Sequence, residues 1–224
     1  MAKSAITMQI KGCDSLIKQL EGIGTAGRKA ISSTVKDLTR AAPKLVADEV
    51  GQTYTIDKKE IKPGSTRKDK NGNKQAVKQA GSIRISGETI ESFTMTYTGH
   101  LLTPTHFKMS PKAPPAGKSY KLTMEVVKGK KKLIGRYENK RTPGGPYSEH
   151  SHNILMGTGN TKEAGVNWIP FQRMSRTRTD LRKFTTVSVP QMVDNEQVNE
   201  RIHEALNSRA EERLNHYMER YLGK

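Results

Sequence analysis

The chain has 224 residues, of which 33% are hydrophobic, with one Trp and four Phe. That apolar content is thin for the length, so a lone monomer would have a marginal core and much of the chain must be loop, surface or interface. Lys and Arg number 39 against 22 Asp and Glu, a net charge of +17, which favours anionic partners; the single cysteine, Cys13, excludes an intramolecular disulfide and a thiolate metal cluster.

No stretch nears the roughly 20 apolar residues of a membrane-spanning helix, and assembly in a reducing cytosol is expected. The cationic excess is uneven. Residues 1–50 carry eight basic and five acidic side chains and residues 191–224 carry five and seven, so the middle holds 26 and ten.

In chain order, Ala5 to Lys11 alternates Ile6, Met8 and Ile10 against polar residues, a half-buried strand. Asp14 caps a short helix with Leu16, Ile17, Leu20 and Ile23 on one face. The run Gly22-Ile23-Gly24-Thr25-Ala26-Gly27 has the spacing of a dinucleotide-binding loop. It follows a helix pattern rather than a strand, so it reads as a turn between helices. A second helix is expected over Thr25 to Val50, with Ile31, Val35, Leu38, Ala42, Val46 and Val50 on one face and Pro43 as a kink. A helical turn follows over Ile56 to Ile61, closed by Pro63-Gly64.

Ser65 to Gly81 is polar and rich in Lys, Gly and Asn, and its side chains bury too little to offset the entropy of ordering. It is expected to be a basic arm, within 62–81, that orders only against a partner. Ser82 to Tyr97 alternates as two strands, prolines break the next stretch, and Tyr120 to Val126 pairs with Leu133 to Tyr137 as a hairpin with a lysine tip. Residues 138–165 form an irregular loop interrupted by Ile154-Leu155-Met156. Trp168 to Phe171 is an apolar knot before a basic run from Arg173 to Lys183. Thr185 to Pro190 alternates again and feeds the longest helical pattern, in which Val198, Ile202, Leu206, Ala210, Leu214, Met218 and Tyr221 share a stripe. Asp194 with Gln197 is expected to cap it.

Chemistry-bearing motifs are sparse. His150 and His152 form a pair that would need His100 or His106 to complete a metal site. No nucleophile elbow, phosphate-cradling loop or paired carboxylates stand out, and no cofactor is expected. Three basic blocks, Lys58 to Lys78, Lys128 to Arg141 and Arg173 to Lys183, could touch phosphates without reading sequence. Aromatics barely interleave with them, against a stacking platform for single strands.

The layout is α+β: a small antiparallel sheet packed by N-terminal helices and a long C-terminal helix, with extended arms, in a single domain spanning 1–224. Several parts of it resemble one family. They are the strand and helix over Ile6 to Leu20, the Ala-rich helix with its basic turn, the arm, Thr103-Pro104-Thr105-His106-Phe107-Lys108, and Val187-Ser188-Val189-Pro190-Gln191-Met192 leading into the terminal helix. Together they resemble the tailed-phage minor tail protein Z family. The resemblance implies a tail-completion protein in a ring of six at the head-proximal end of a phage tail or tail-like particle. Its neighbours would be the tail terminator or tail tube and the head connector. It would reside in the virion neck after assembly in the host cytoplasm, with no enzymatic activity and no membrane partner. Arg67, Lys68 and Lys70 on the arm, and Tyr217 and Tyr221 at the helix tip, are the expected interface residues. The basic middle would face acidic subunits or DNA in the lumen. The other reading is a sequence-independent nucleic-acid-binding protein.

Overall fold

The structure is a computed structural model and describes residues 2–9, 24–69, 71–86, 92–116, 118–137, 154–157, 168–174 and 180–222. Cys13, the expected helix after Asp14, and most of the 138–165 loop, with His150 and His152, lie outside the described residues. The class is α+β, as expected, with several small antiparallel sheets and a long C-terminal helix packed on an N-terminal one. The chain divides into two compact units: residues 1–51, 58–100 and 188–224 form the first, and residues 52–57 and 101–187 the second.

The first unit is built on a helix pair and a sheet. Helix α1 spans Thr25–Thr53, about 44 Å at 1.5 Å per residue, and follows Gly24, whose φ of 76° is the left-handed conformation that glycine adopts without strain. It continues without a break through Pro43, where the Thr39 carbonyl loses its amide donor. Its buried face includes Ala30, Ile31, Val35, Leu38, Ala42, Val46 and Val50. Helix α4, Glu196–Leu222, buries Val198, Ile202, Leu206, Ala210 and Leu214. The expected stripe is therefore present, with Met218 half-buried and Tyr221 more exposed at its end. Arg201 meets Glu49 and Arg213 meets Asp37, so rising numbers in α4 match falling numbers in α1 and the two helices run antiparallel.

The one-turn helix α2, Lys58–Ile61, leads into two short strands, β2 (Thr66–Lys68) and β3 (Lys74–Ala76). The first sheet has the order β1-β5-β4, with β1 Ala2–Gln9, β4 Gly81–Ser86 and β5 Ser92–Gly99, all antiparallel. The short helix α3, Val189–Val193, packs on it. Gly81 and Gly99 are partners across β4 and β5. A Cβ at Gly81 would lie 2.7 Å from the Thr98 carbonyl oxygen, and one at Gly99 would lie 3.2 Å from Pro190 Cδ.

The alternation expected through Thr185 to Pro190 is not a strand. Ser188 accepts from the Gln191 amide while the Gln191 side chain accepts from the Ser188 amide, a capping box that opens α3, with Pro190 in its first turn. Asp194 ends α3 rather than starting the long helix, and Asn195 caps α4 by accepting from the Val198 amide.

Tyr97 sits on the central strand β5 at 1% exposure, and among the described residues its hydroxyl has no hydrogen-bond partner. Burial raises its pKa well above the ordinary phenol value of 10.0. In the unfolded chain the phenol ionises near 10.0 while the folded chain holds the proton, so this group's contribution to stability is intact below that pH and is lost as pH rises above it. Burial shifts Tyr54 and Tyr120 the same way. Urea unfolding at neutral and strongly alkaline pH should therefore show a loss of stability in alkali. Tyr97→Phe should leave neutral stability unchanged or raise it by up to about 1 kcal/mol, since an unpartnered buried hydroxyl is removed, and should shrink the alkaline loss. A large neutral-pH loss in this variant would mean that the hydroxyl is satisfied.

The second unit contains two three-stranded antiparallel sheets, β6-β7-β8 and β11-β10-β9. Their strands are β6 Lys108–Ser110, β7 Tyr120–Glu125, β8 Lys131–Tyr137, β9 Ile154–Gly157, β10 Ile169–Arg173 and β11 Leu181–Lys183. The expected hairpin is β7–β8, turning through Gly129 at φ 76° with the Gly129 amide donating to Glu125 Oε1. The apolar stretches around Ile154 and Trp168 to Phe171 supply β9 and β10. Met109, Leu122, Ile154 and Met156 form the core, with Tyr120, Ile134, Trp168 and Phe184 packed on it. Residues 53–55 join this unit: the Thr55 amide donates to the Val126 carbonyl and the Lys128 amide to that of Thr53.

Candidate functional site

The arm is where the structure departs most from the sequence expectation. In place of a chain that orders only on a partner, β2 and β3 pair as a hairpin with Thr66 opposite Ala76, Arg67 opposite Gln75 and Lys68 opposite Lys74. One carboxylate organises the turn. Asp69 Oδ1 accepts from the amides of Asn71 and Asn73, Oδ2 accepts from the Gln75 side chain, and Gly72 takes a φ of 82°. The side chain thus does locally what an apolar face does elsewhere. All six strand residues are exposed, so the hairpin presents Arg67, Lys68 and Lys74 to solvent, with Lys62 and Lys78 exposed at its base. Lys70 lies outside the described residues.

The other expected interface residues fall in the α1–α4 seam. The Tyr217 hydroxyl donates to Asp37 Oδ2 at 2.8 Å, and Arg213 Nε lies 3.7 Å from the same oxygen. That hydrogen bond is the first cause of a raised Tyr217 pKa, followed by burial and the negative charge of Asp37. Tyr221 shares a hydrogen bond of 3.3 Å with Ser33, and the two tyrosine rings stack at 5.9 Å. Both residues therefore engage the chain's own first helix, with 37% of Tyr221 left exposed.

Charge is segregated along α4. Three of its four arginines turn toward carboxylates of the chain: Arg201 to Glu49 at 3.3 Å, Arg209 to Glu212 at 2.7 Å, and Arg213 to Asp37, while Arg220 lies 5.9 Å from the Tyr221 ring centre. Glu196, Glu200, Glu204, Glu211 and Glu219 are exposed. Sequence reading weighed this helix by its apolar stripe and missed the acidic face opposite. The four-residue spacing of Glu196, Glu200 and Glu204 was the available signal.

His100 is exposed and His106 half-buried. Among the described residues no three His, Cys, Asp or Glu side chains converge on a possible metal position, and no helix is long and apolar enough to cross a membrane. The remaining basic blocks map to the β7–β8 turn with β8, and to β10 and β11. Leu133 on β8 and Leu181 on β11 are exposed at 52% and 41% beside Lys131, Lys132, Arg182 and Lys183. Comparison with protein-family models, curated proteins and solved structures finds no match. The described surface carries a cationic hairpin, an anionic helix face, and outer strands with exposed apolar and basic side chains.

Proposed function

We propose that the chain is a structural subunit of a tailed-phage or tail-like particle, a tail-completion protein. It would form a hexameric ring at the head-proximal end of the tail, between the tail terminator and the head connector. The observation that carries this reading is the hairpin β2–β3, a basic arm held by one aspartate, with every strand residue exposed. Such an element contributes little to a monomer's stability and offers a rigid contact to a neighbour. Among the described residues, outer strands β4 and β11 each pair on one side only, and proteins otherwise cover or blunt such edges. The layout similar to the minor tail protein Z family supplies the particle and the position in it.

A second reading, a nucleic-acid-binding protein without sequence preference, is favoured by the net charge of +17 and the lysines of the hairpin. Light scattering after size exclusion, at low and high salt and with and without duplex DNA, separates the two. The expected result is a concentration-dependent species of six subunits, seen as rings in electron micrographs, that DNA leaves unchanged. A monomer that shifts onto DNA at low salt, with an affinity falling steeply with salt, would overturn the ring in favour of the second reading.

A further inference from the structure

Two surfaces of the first unit each carry a charge arrangement that works against their own element. On the hairpin, Lys68 and Lys74 are directly opposite each other, which sets their Cβ atoms roughly 5 Å apart on one face, a like-charge cross-strand pair that weakens the pairing. No apolar face offsets this, because all six strand residues are exposed. On α4, Glu196, Glu200 and Glu204 follow one another at four-residue steps, about 6 Å along the axis, and like charges so spaced weaken a helix. All three are exposed, while Arg201, Arg209 and Arg213 of the same helix are directed to Glu49, Glu212 and Asp37.

The signs are opposite and the spacings match. We propose that the β2–β3 hairpin of one copy docks on the solvent face of α4 of a second copy, with Lys68 and Lys74 set against Glu200 and Glu204. The occupant is a second copy because both members of the complementary pair are solvent-exposed in the single chain. Glutamates rooted about 6 Å apart along the helix can each meet one of two lysines whose Cβ atoms stand about 5 Å apart, relieving both repulsions at once. The hairpin turn is already held by the hydrogen bonds to Asp69, so little ordering entropy is lost on docking. Because the patches differ, the contact is heterologous and head-to-tail, the geometry that closes into rings or runs on as filaments. Arg67 projects from the other face of the hairpin by the two-residue alternation of a strand, so it is not part of this contact. This inference rests on the reading of the chain as a self-assembling subunit and names the surfaces by which it assembles.

The contact is among exposed charges, so it should weaken strongly between about 0.05 and 0.5 M salt as screening shortens below the scale of the patch. Charge exchange tests it on the full chain. Lys68→Glu/Lys74→Glu and Glu200→Lys/Glu204→Lys should each weaken self-association by about tenfold or more, measured by light scattering and sedimentation. An equimolar mixture of the two variants should recover assembly, because each supplies the surface the other lacks. Circular dichroism and melting should match the parent, and the neutral Lys68→Gln/Lys74→Gln should show a smaller loss. Parent rings with variants that assemble equally well would overturn the docking and leave the neck reading standing. A parent that stays monomeric at about 100 μM in low salt would overturn the docking, and imaging of tail particles for the subunit would then decide the neck reading separately. A hairpin variant that loses duplex DNA but assembles normally would overturn the docking in favour of a nucleic-acid arm.

Discussion

Replacing Ile202 by aspartate should unfold the α1–α4 pair. Ile202 is fully buried in the middle of the stripe that α4 turns inward. An aspartate there loses a whole branched apolar side chain and places a carboxylate in a seam whose nearby cation, Arg201, already faces Glu49. Burying an unpaired charge forces either uptake of a proton or local opening, at a cost of about 4 kcal/mol or more. Domains hold a net stability of only about 5–15 kcal/mol, and a chain with few large apolar residues should sit low in that range. Helical circular dichroism followed through a urea titration should show the midpoint collapse. Ile202→Val, which removes one methyl group, should cost only about 0.5–1.5 kcal/mol. Equal costs for the two variants would mean that the stripe is solvated.

Leu122→Ala in the second unit should cost about 2–5 kcal/mol, the range for emptying a packed leucine site. Leu122 is fully buried, among Met109, Ile154 and Met156. Leu133 lies in the same hairpin and is 52% exposed; its replacement by alanine should change stability by no more than about 0.5 kcal/mol. The contrast comes from register. Thr123 pairs with Leu133 and Leu122 with Gly135, with a register shift between the two pairs, so Ile134 is the extra residue of a bulge. Strict alternation would put Leu133 and Gly135 on one face. The bulge sends Leu133 outward and keeps Gly135 buried. Urea titration of both alanine variants checks this, and comparable losses would contradict the bulge.

That bulge also shows where sequence reading reached its limit. Alternation located β7 and β8, because two-residue periodicity survives any pairing. It could not place Leu133, because one unpaired residue reverses the faces beyond it and leaves no compositional mark. The helices α1 and α4 were legible because their apolar stripes run from Ala30 to Val50 and from Val198 to Leu214, and over such lengths only one period fits. Val187-Ser188-Val189 misled for the opposite reason: three residues satisfy a strand alternation by chance, while Ser188 and Gln191, three positions apart with Pro190 between, carried the helix-start signal.

On the arm, apolar content was the wrong measure. The turn residues Asp69, Asn71, Gly72 and Asn73 hold the hairpin through side-chain and backbone hydrogen bonds, and Asn71-Gly72 was the visible clue. Of the five expected contact residues, Arg67 and Lys68 are exposed on the arm. Tyr217 and Tyr221 are joined to α1 by hydrogen bonds to Asp37 and Ser33, which no spacing along α4 could reveal because both partners lie about 180 residues away.

The glycine pair at the end of the first sheet acts as a socket made by missing atoms. Pro190 rests against Gly99, and Val189 lies 3.6 Å from where a Cβ on Gly81 would stand. A methyl group on Gly81 would press on the Thr98 carbonyl within the sheet, whereas one on Gly99 would press on Pro190 of α3; Asp194 and Asn195 lie between α3 and α4. The seating of α3 on the sheet is therefore set at Gly99, a residue that carries no charge and no side chain.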